Sequence, residues 1–575
     1  MSRTVDGSPR SQLDIPSDLA RAIASARVHR EALLGLPHVV AVRGGYKFVD
    51  GQITDQAAVV VAVDRKSDQL DPEADVPPVL PDGVPTDVTL ADPIERLAAA
   101  GELEMVARVA AAAPSPLLIE QLQDASAFAG EEDELELVPP ITYVPPPGAS
   151  LDSVTGAMAI TCHVSPDAGW RVLRAFLRDA HQSITLGMYD FTAPHVYRAA
   201  RRLLKDTAVR WKQTLGPHES LPTADDIDST KADDKTEASI IKGLGLVAPG
   251  RFESAFAHVG KGQTFASAYH IKVAVRDGKA TWLSSGNWQS SNQPVTDFLD
   301  DDADRDQMRD YNREWHAVVE DPGLAKTFER YLRHDFETAE TEEEAVPHPE
   351  PVLPDLLLPL EATLEAAPIP LEAFSPQRFQ FTAADPLTVQ PILTPDNYLE
   401  VVLALLRQRP SSTLYFQNQS LNPVLEPTPA WAELLRLLAD YSRDPALDVR
   451  IIFRDIGPIR KKLESLKSAG FEMTKIRTQI GCHTKGIVID SETVLLGSHN
   501  WTDSGVQANR DASLLIRRPE IATYYERIFL HDWDRLARPR INENAMPVPV
   551  LGDESLAPID EVAFRRAPWS AWEEE

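Results

Sequence analysis

The chain has 575 residues, 43% of them apolar, and a formal net charge of −30; at roughly 150 residues per domain this makes three or four domains with ordinary cores. The acidity argues against non-specific nucleic-acid binding, since phosphates are repelled, although it leaves room for a local basic patch. Two cysteines, Cys162 and Cys482, argue against a disulfide framework or a thiolate metal cage.

Residues 1–30 read as a polar segment, with a helical stretch in "DLARAIASARVHREALLG" closed by Gly35. It has no apolar core of a secretory signal, and no run of about 18 apolar residues follows anywhere. A cytoplasmic protein that meets a membrane only peripherally is therefore expected. Residues 31–110 predict a small α/β module. Two β-branched runs in "VVAVRGGYKFVDGQITDQAAVVVAVDRK" flank a Gly/Asp turn, a hairpin pattern, and "PDGVPTDVTL" adds a turn and a short strand. Residues 111–150 are acidic, then proline-rich, and predict a linker; 338–378 predict a second. Two large segments, 151–337 and 379–540, follow these linkers, and 541–575 predict a loosely packed tail.

The large segments repeat each other. "SPDAGWRVLRAFLRDAHQSITLGMYDFT" (165–192) matches "TPDNYLEVVLALLRQRPSSTLYFQNQSL" (394–421). Each has a Ser/Thr-Pro-Asp helix start, an amphipathic helix ending in arginine, a turn and a strand. Each then carries His-x-Lys at the mouth of an apolar strand: His270 and Lys272 in "AYHIKVAVRD", His483 and Lys485 in "GCHTKGIVID". An Asn-Trp turn follows in both, "SSGNW" with Asn287 and "GSHNW" with Asn500. A duplicated unit with the same polar residues predicts one site shared across a pseudo-two-fold interface.

Alternation on a strand puts each histidine and its lysine on one face, about 6.6 Å apart, a gap that suits a phosphate-sized anion. Asp277 and Asp490 lie seven residues after the histidines, on the opposite face, and are expected to be structural, pinning the following turn. Paired, the halves would surround one phosphodiester with two imidazoles, two ammonium groups and two amides. Lysines and amides would hold the non-bridging oxygens. One neutral histidine could attack phosphorus and the other, protonated, could serve the leaving oxygen and then activate water. No metal or other cofactor is required, because the lysines supply the positive charge. Each imidazole needs an orienting partner; "YNREW" offers Asn312 and Glu314, and "ANRDA" offers Asn509 and Asp511.

These residues resemble the phospholipase D superfamily, whose signature is His-x-Lys-x4-Asp, six residues, then Gly-Ser-x-Asn. The second copy fits throughout, at His483, Lys485, Asp490, Gly497, Ser498 and Asn500. The first fits at His270, Lys272, Asp277, Ser285 and Asn287, with Ser284 where the family has glycine. The family often has glutamate where Asp511 stands. The resemblance covers roughly 155–335 and 380–540. It implies an α/β fold with two pseudo-symmetric phospholipase D-like sandwich domains sharing one active site, and a phosphohistidine mechanism with His270 as nucleophile and His483 as acid and base. The residues alone leave that order open. Residues 31–95 also look like a small module found ahead of unrelated bacterial catalytic domains, which speaks to architecture only.

Other features have plainer readings. Trp288 and Trp501 are expected in the core, and Cys482 as a buried thiol. The acidic run 297–310 lacks the glycine and terminal acid of a helix–loop–helix calcium site and predicts a solvated loop. His38, His163 and His195 have no partner in the repeat; His499 is a candidate to line the pocket. Three readings of function stay open. The first is a phospholipase D-type lipid hydrolase acting at a membrane surface. The second is a nuclease, because 450–485 holds nine basic and three acidic residues and could line a groove for nucleic acid or meet anionic headgroups. The third is a non-catalytic phosphate-binding protein. Oligomeric state is not legible.

Overall fold

The computed structural model describes residues 15–65, 75–102, 105–106, 141–216, 236–260, 262–300, 302–341, 356–359, 371–423, 427–455, 457–543, 546–551, 554–555, 564–567 and 569. Residues 1–14, the stretch 111–140 of the first expected linker, 342–355 and 360–370 of the second, and parts of the expected tail lie outside the described residues.

The N-terminal module lays helix Ser17–Leu34 across a sheet of β1 (Val39–Val49), β2 (Gln52–Val63) and β3 (Thr86–Leu90). β1 and β2 form the expected antiparallel hairpin, and β3 runs parallel to β2. The turn places Asp50 and Gly51 at φ 51° and 75°, both left-handed, as a tight primed hairpin turn requires. Ala22, Ala26 and Leu33 of the helix pack on Val42, Val59 and Val61. A Cβ on Gly44 would lie 2.7 Å from the Ile23 backbone nitrogen, so only glycine lets helix and strand meet. The expected boundary at residue 30 therefore falls inside one folded unit, because the helix buries its apolar face on this sheet.

The rest of the chain folds twice the same way. The first segment supplies β4 (Val154–Gly156), β5 (Ala159–Ser165), β6 (Ser183–Met188), β7 (Arg210–Leu215), β8 (Phe252–Phe256), β9 (Lys272–Arg276), β10 (Ala280–Ser284) and β11 (Glu314–Glu320). After β12 (Leu356–Pro359) come β13 (Gln377–Gln380), β14 (Leu387–Leu393), β15 (Thr413–Asn418), β16 (Asp448–Arg454), β17 (Ile476–Gln479), β18 (Lys485–Ile489), β19 (Thr493–Gly497) and β20 (Ala512–Arg517). The sheets run β13-β5-β11-β10-β9-β6-β7-β8 and β4-β14-β20-β19-β18-β15-β16-β17, position for position the same order. The edge strands are exchanged. β13 lies on β5 of the first sheet, and β4 on β14 of the second. The expected break at 378/379 thus cuts through a strand that completes the first sheet.

One core joins the halves. Val273, Val275 and Leu283 of the first sheet, Val488, Val494 and Leu496 of the second, and helices Pro322–Thr341 and Pro519–Arg535 between them share a single apolar cluster. Trp288 and Trp501 sit in the outer cores, as expected. The Ser/Thr-Pro-Asp segments are not helix caps. Helices Gly169–Arg178 and Tyr398–Arg407 start without a side-chain cap, and Asp167 and Asp396 bond Arg313 and Arg510 instead. The linker and the tail also meet, since β12 pairs with β21 (Val548–Leu551) and β23 (Phe564–Ala567) in a small sheet that β22 (Glu554–Ser555) extends.

A groove is one reading of the basic stretch, but part of that stretch packs inside the molecule. Its helix, Ile459–Ser468, faces the N-terminal module. Arg460 pairs with Asp87, Lys461 with Asp92 and Glu95, Lys467 with Asp55, and Glu464 with Arg43. Arg460 and Lys461 are buried there. Buried charges demand partners, and the module's carboxylates supply them. This helix is an internal interface. Among the described residues, no helix is long and apolar enough to cross a membrane.

Candidate active site

β9 and β18 occupy the same central place in the two sheets. The histidines stand just ahead of them, and backbone bonds from the other half hold each one. His270 N donates to Arg510 O and Arg510 N to Ala268 O; His483 N donates to Arg313 O and Arg313 N to Gly481 O. Arg313 and Arg510 precede the two acids, so this pairing sets each acid beside the opposite histidine. His270 Nδ1 lies 2.9 Å from Asp511 Oδ1, and His483 Nδ1 lies 2.7 Å from Glu314 Oε1. The imidazoles take the acids of the partner half and not Asn312 or Asn509. Ser285 donates to Glu314 and Ser498 to Asp511, each at 2.5 Å.

Arg313 and Arg510 anchor this arrangement, and sequence reasoning missed both. Arg313 bonds Asp167 of its own half and Asp532 of the other; Arg510 bonds Asp396 of its own and Asp335 of the other. Their signal was present. "NRE" and "NRD" repeat the arginine as faithfully as the acid, and "SPD" and "TPD" repeat its partner.

The lysines differ. Lys485 Nζ donates to Gln419 Oε1 at 2.6 Å, to His483 O and to Ser285 O. Lys272 Nζ donates to His270 O at 2.7 Å and lies over the Tyr189 ring. His270 Nε2, Asn287 Oδ1 and Asn500 Oδ1 are buried without a hydrogen-bond partner among the described residues. Polar atoms are seldom left so, and an amide can turn its N–H to an anion by a half-rotation.

Burial dominates the electrostatics. It lowers His270 to about 4, with Lys272 adding to the effect against Asp511. It pushes His483 well below its ordinary value, helped by Lys485 and Arg454, and brings Lys485 down to about 8. Burial lifts Glu314 to about 7 against the pull of Lys485. Asp511 differs. Burial raises it, but the charge and hydrogen bond of His270 outweigh that and hold it below the usual carboxylate range. One pair is thus a neutral imidazole on an ionised carboxylate, and the other shares a proton near neutrality. Arg454, at the end of β16, is a further cation of the site that the motifs do not announce.

Asp277 and Asp490 bond the backbone ahead of a neighbouring strand, where pinning of the following turn was expected. Asp277 accepts from the backbone of His181, Gln182 and Ser183 ahead of β6, and Asp490 from Ser411, Ser412 and Thr413 ahead of β15. Ser284, the departure from the family pattern, bonds His316 Nδ1 and the Gly286 N–H, while His316 Nε2 meets Ser165. In the second half His499 makes the equivalent bonds to Ser513 and Thr394. The imidazole has moved between strand and turn, and serine and glycine have moved to suit it. His499 therefore braces the turn. Cys482 is a buried thiol raised to about 12 by burial. The acidic run holds a 3-10 turn at Asp302–Asp310, with Asp297 and Asp300 beside Arg171. His38 bonds Asp64, His195 bonds Gln293 O, and His163 stacks on His316. Among the described residues no group of three or more His, Cys, Asp or Glu is placed to hold a metal ion.

Residues 425–533, which include β18, β19 and the His483 motif, match the family described as "Cardiolipin synthase, PLD-like domain". The chain carries a PLD-like domain. Solved structures with partial similarity to the chain include the following three. Phosphatidylserine synthase of Haemophilus influenzae Rd KW20 is 12% identical with a TM-score of 0.40, over 66% of this chain and 87% of that one. NucT from Helicobacter pylori is 14% identical with a TM-score of 0.23, over 32% and 98%. The phospholipase D family member Nuc from Salmonella typhimurium is 19% identical with a TM-score of 0.21, over 26% and 97%. The chain matches no curated protein.

Proposed function

We propose that this PLD-like protein is a phosphodiesterase that releases the headgroup of a phospholipid through a phosphohistidine on His270. The crossed pairing of each histidine with the other half's acid carries the proposal. It makes one imidazole neutral with a free Nε2 and leaves the other sharing a proton. His270 Nε2 attacks phosphorus while His483 gives its proton to the leaving alcohol oxygen, and the P–O bond to the headgroup breaks. His483, now a base, takes a proton from water. The hydroxide attacks phosphorus, the P–N bond breaks, and His270 is restored. Lys272, Lys485, Asn287 and Asn500 hold the non-bridging oxygens as charge builds on them. The lysine charge lets the chemistry run without a metal.

A phospholipid is preferred to a nucleic acid because the chain is strongly acidic and because its basic helix is occupied by the module. The match to a cardiolipin synthase domain points toward a lipid phosphate as well. Contact with the bilayer would be peripheral. The test is headgroup release from mixed phospholipid vesicles in EDTA, with His483→Ala as control. Release by the wild type alone supports the proposal. Cleavage of single-stranded nucleic acid instead would make the protein a nuclease. Folded protein silent on both would leave phosphate binding only.

A further inference from the structure

The two halves part company at Asn292. Counting from the Asn-Trp turns, Asn287 aligns with Asn500, and Asn292 aligns with Gly505. The Asn292 amide is fully buried, donates to Glu314 Oε1 and lies 3.4 Å from His483 Nδ1. Glu314 thus accepts from Ser285, Asn292 and His483 together. Asp511 has no such third donor, and its Oδ2 is without a partner among the described residues.

The charged groups facing the Glu314–His483 pair are Lys485, Arg454, Lys272 and His270. The cations among them disfavour a second positive charge on the ring, and burial favours a neutral carboxyl more strongly than Lys485 and Lys272 favour the ionised one. Left to these forces, the shared proton moves onto Glu314. That would leave a neutral ring, a much weaker acid toward a leaving oxygen. An N–H donated to a carboxylate pulls the other way, because it stabilises the ionised form.

We propose that Asn292 is a positioning residue: its N–H on Glu314 favours the carboxylate and so weights the shared proton toward His483, committing that imidazole, and not His270, to the acid step. The proposal rests on the phosphodiesterase reading above. Gly505 makes no such bond in the second half, where the imidazole must instead be neutral to attack.

The test compares wild type, Asn292→Gly and the isosteric Asn292→Asp on two phosphodiesters, one with an alkyl alcohol as leaving group and one with p-nitrophenol. Nitrophenolate departs without a proton, so only the alkyl ester needs the acid. General acid catalysis is worth roughly 10²–10⁴, so kcat on the alkyl ester should fall at least about tenfold and kcat on the nitrophenyl ester by less than about threefold. The alkaline limb of kcat/KM should also rise, and rise further in Asn292→Asp, where a second carboxylate makes Glu314 hold its proton harder. Equal losses on both esters with an unmoved limb, in cooperatively melting variants, would mean that Asn292 only packs its loop and would overturn the proposal. Folded wild type inactive on both esters would overturn the phosphodiesterase reading, and this inference with it.

Discussion

In the proposed reaction, His270 and Glu314 would set the pH window. His270 is lowered to about 4 by burial and Lys272, so the nucleophile is gained as pH rises through about 4. Glu314 is raised to about 7 by burial, so the proton shared with His483 is lost as pH rises through about 7. A bell-shaped kcat/KM with limbs near those values is expected on an alkyl diester, and a profile flat from pH 4 to 9 would contradict it. Stability follows the same shifts. A raised carboxyl favours the folded state below its unfolded pKa of about 4.3, and that contribution, up to about 3 kcal/mol, is lost as pH rises through about 7. Asp511 is depressed, chiefly by His270 against its burial; its contribution is present above about 3.9 and lost as pH falls. Glu314→Gln should therefore flatten the decline in melting temperature between pH 5 and 8, and Asp511→Asn should not. The histidines and acids were legible because they recur. Asn292, which has no repeat, was not.

The strands and turns carry two kinds of bracing. Asp277 and Asp490 tie one strand's end to the start of its neighbour through backbone N–H groups. Asp277→Ala should cost about 2 kcal/mol, seen as a melting temperature lower by several degrees, with kcat near that of the wild type. Arg313 and Arg510 are different, because each sits between buried carboxylates of both halves. Breaking such a cluster costs about 3–5 kcal/mol, and it also frees the strand that aims Glu314 or Asp511. Arg510→Met should lower both melting temperature and kcat, and kcat near wild type would remove the arginine from the account. Asp277 and Asp490 could be assigned from strand alternation, since seven residues place them off the catalytic face. The arginine clusters could not, since Arg313 and Asp532 lie 219 residues apart. The exchanged edge strands "VTG" and "QRFQ" are too short to show any period.

The molecule is organised by pairings between distant parts of the chain. The repeat foretold two halves around one site, and the structure adds that each half completes the other twice, with an acid and with an edge strand. The module's docking was hidden, because Arg460 and Asp87 are 373 residues apart and charge counting treats the helix as free. A double-mutant cycle on Arg460→Ala and Asp87→Ala should give a coupling above about 1 kcal/mol in thermal unfolding. A coupling near zero would mean that this pair adds nothing to the docking, which the module's other contacts then hold.

The shared site is tested most directly by trapping its intermediate. In His483→Asn the acid and the base are gone, so a p-nitrophenyl phosphodiester should phosphorylate the enzyme and water should fail to release it. The predicted result is an acid-labile adduct on the peptide carrying His270. The adduct should vanish in the double variant with His270→Asn and form more slowly in the one with Asp511→Asn. Label on any other residue, or turnover without label in the His270→Asn protein, would contradict a single site built by both halves with His270 as its nucleophile.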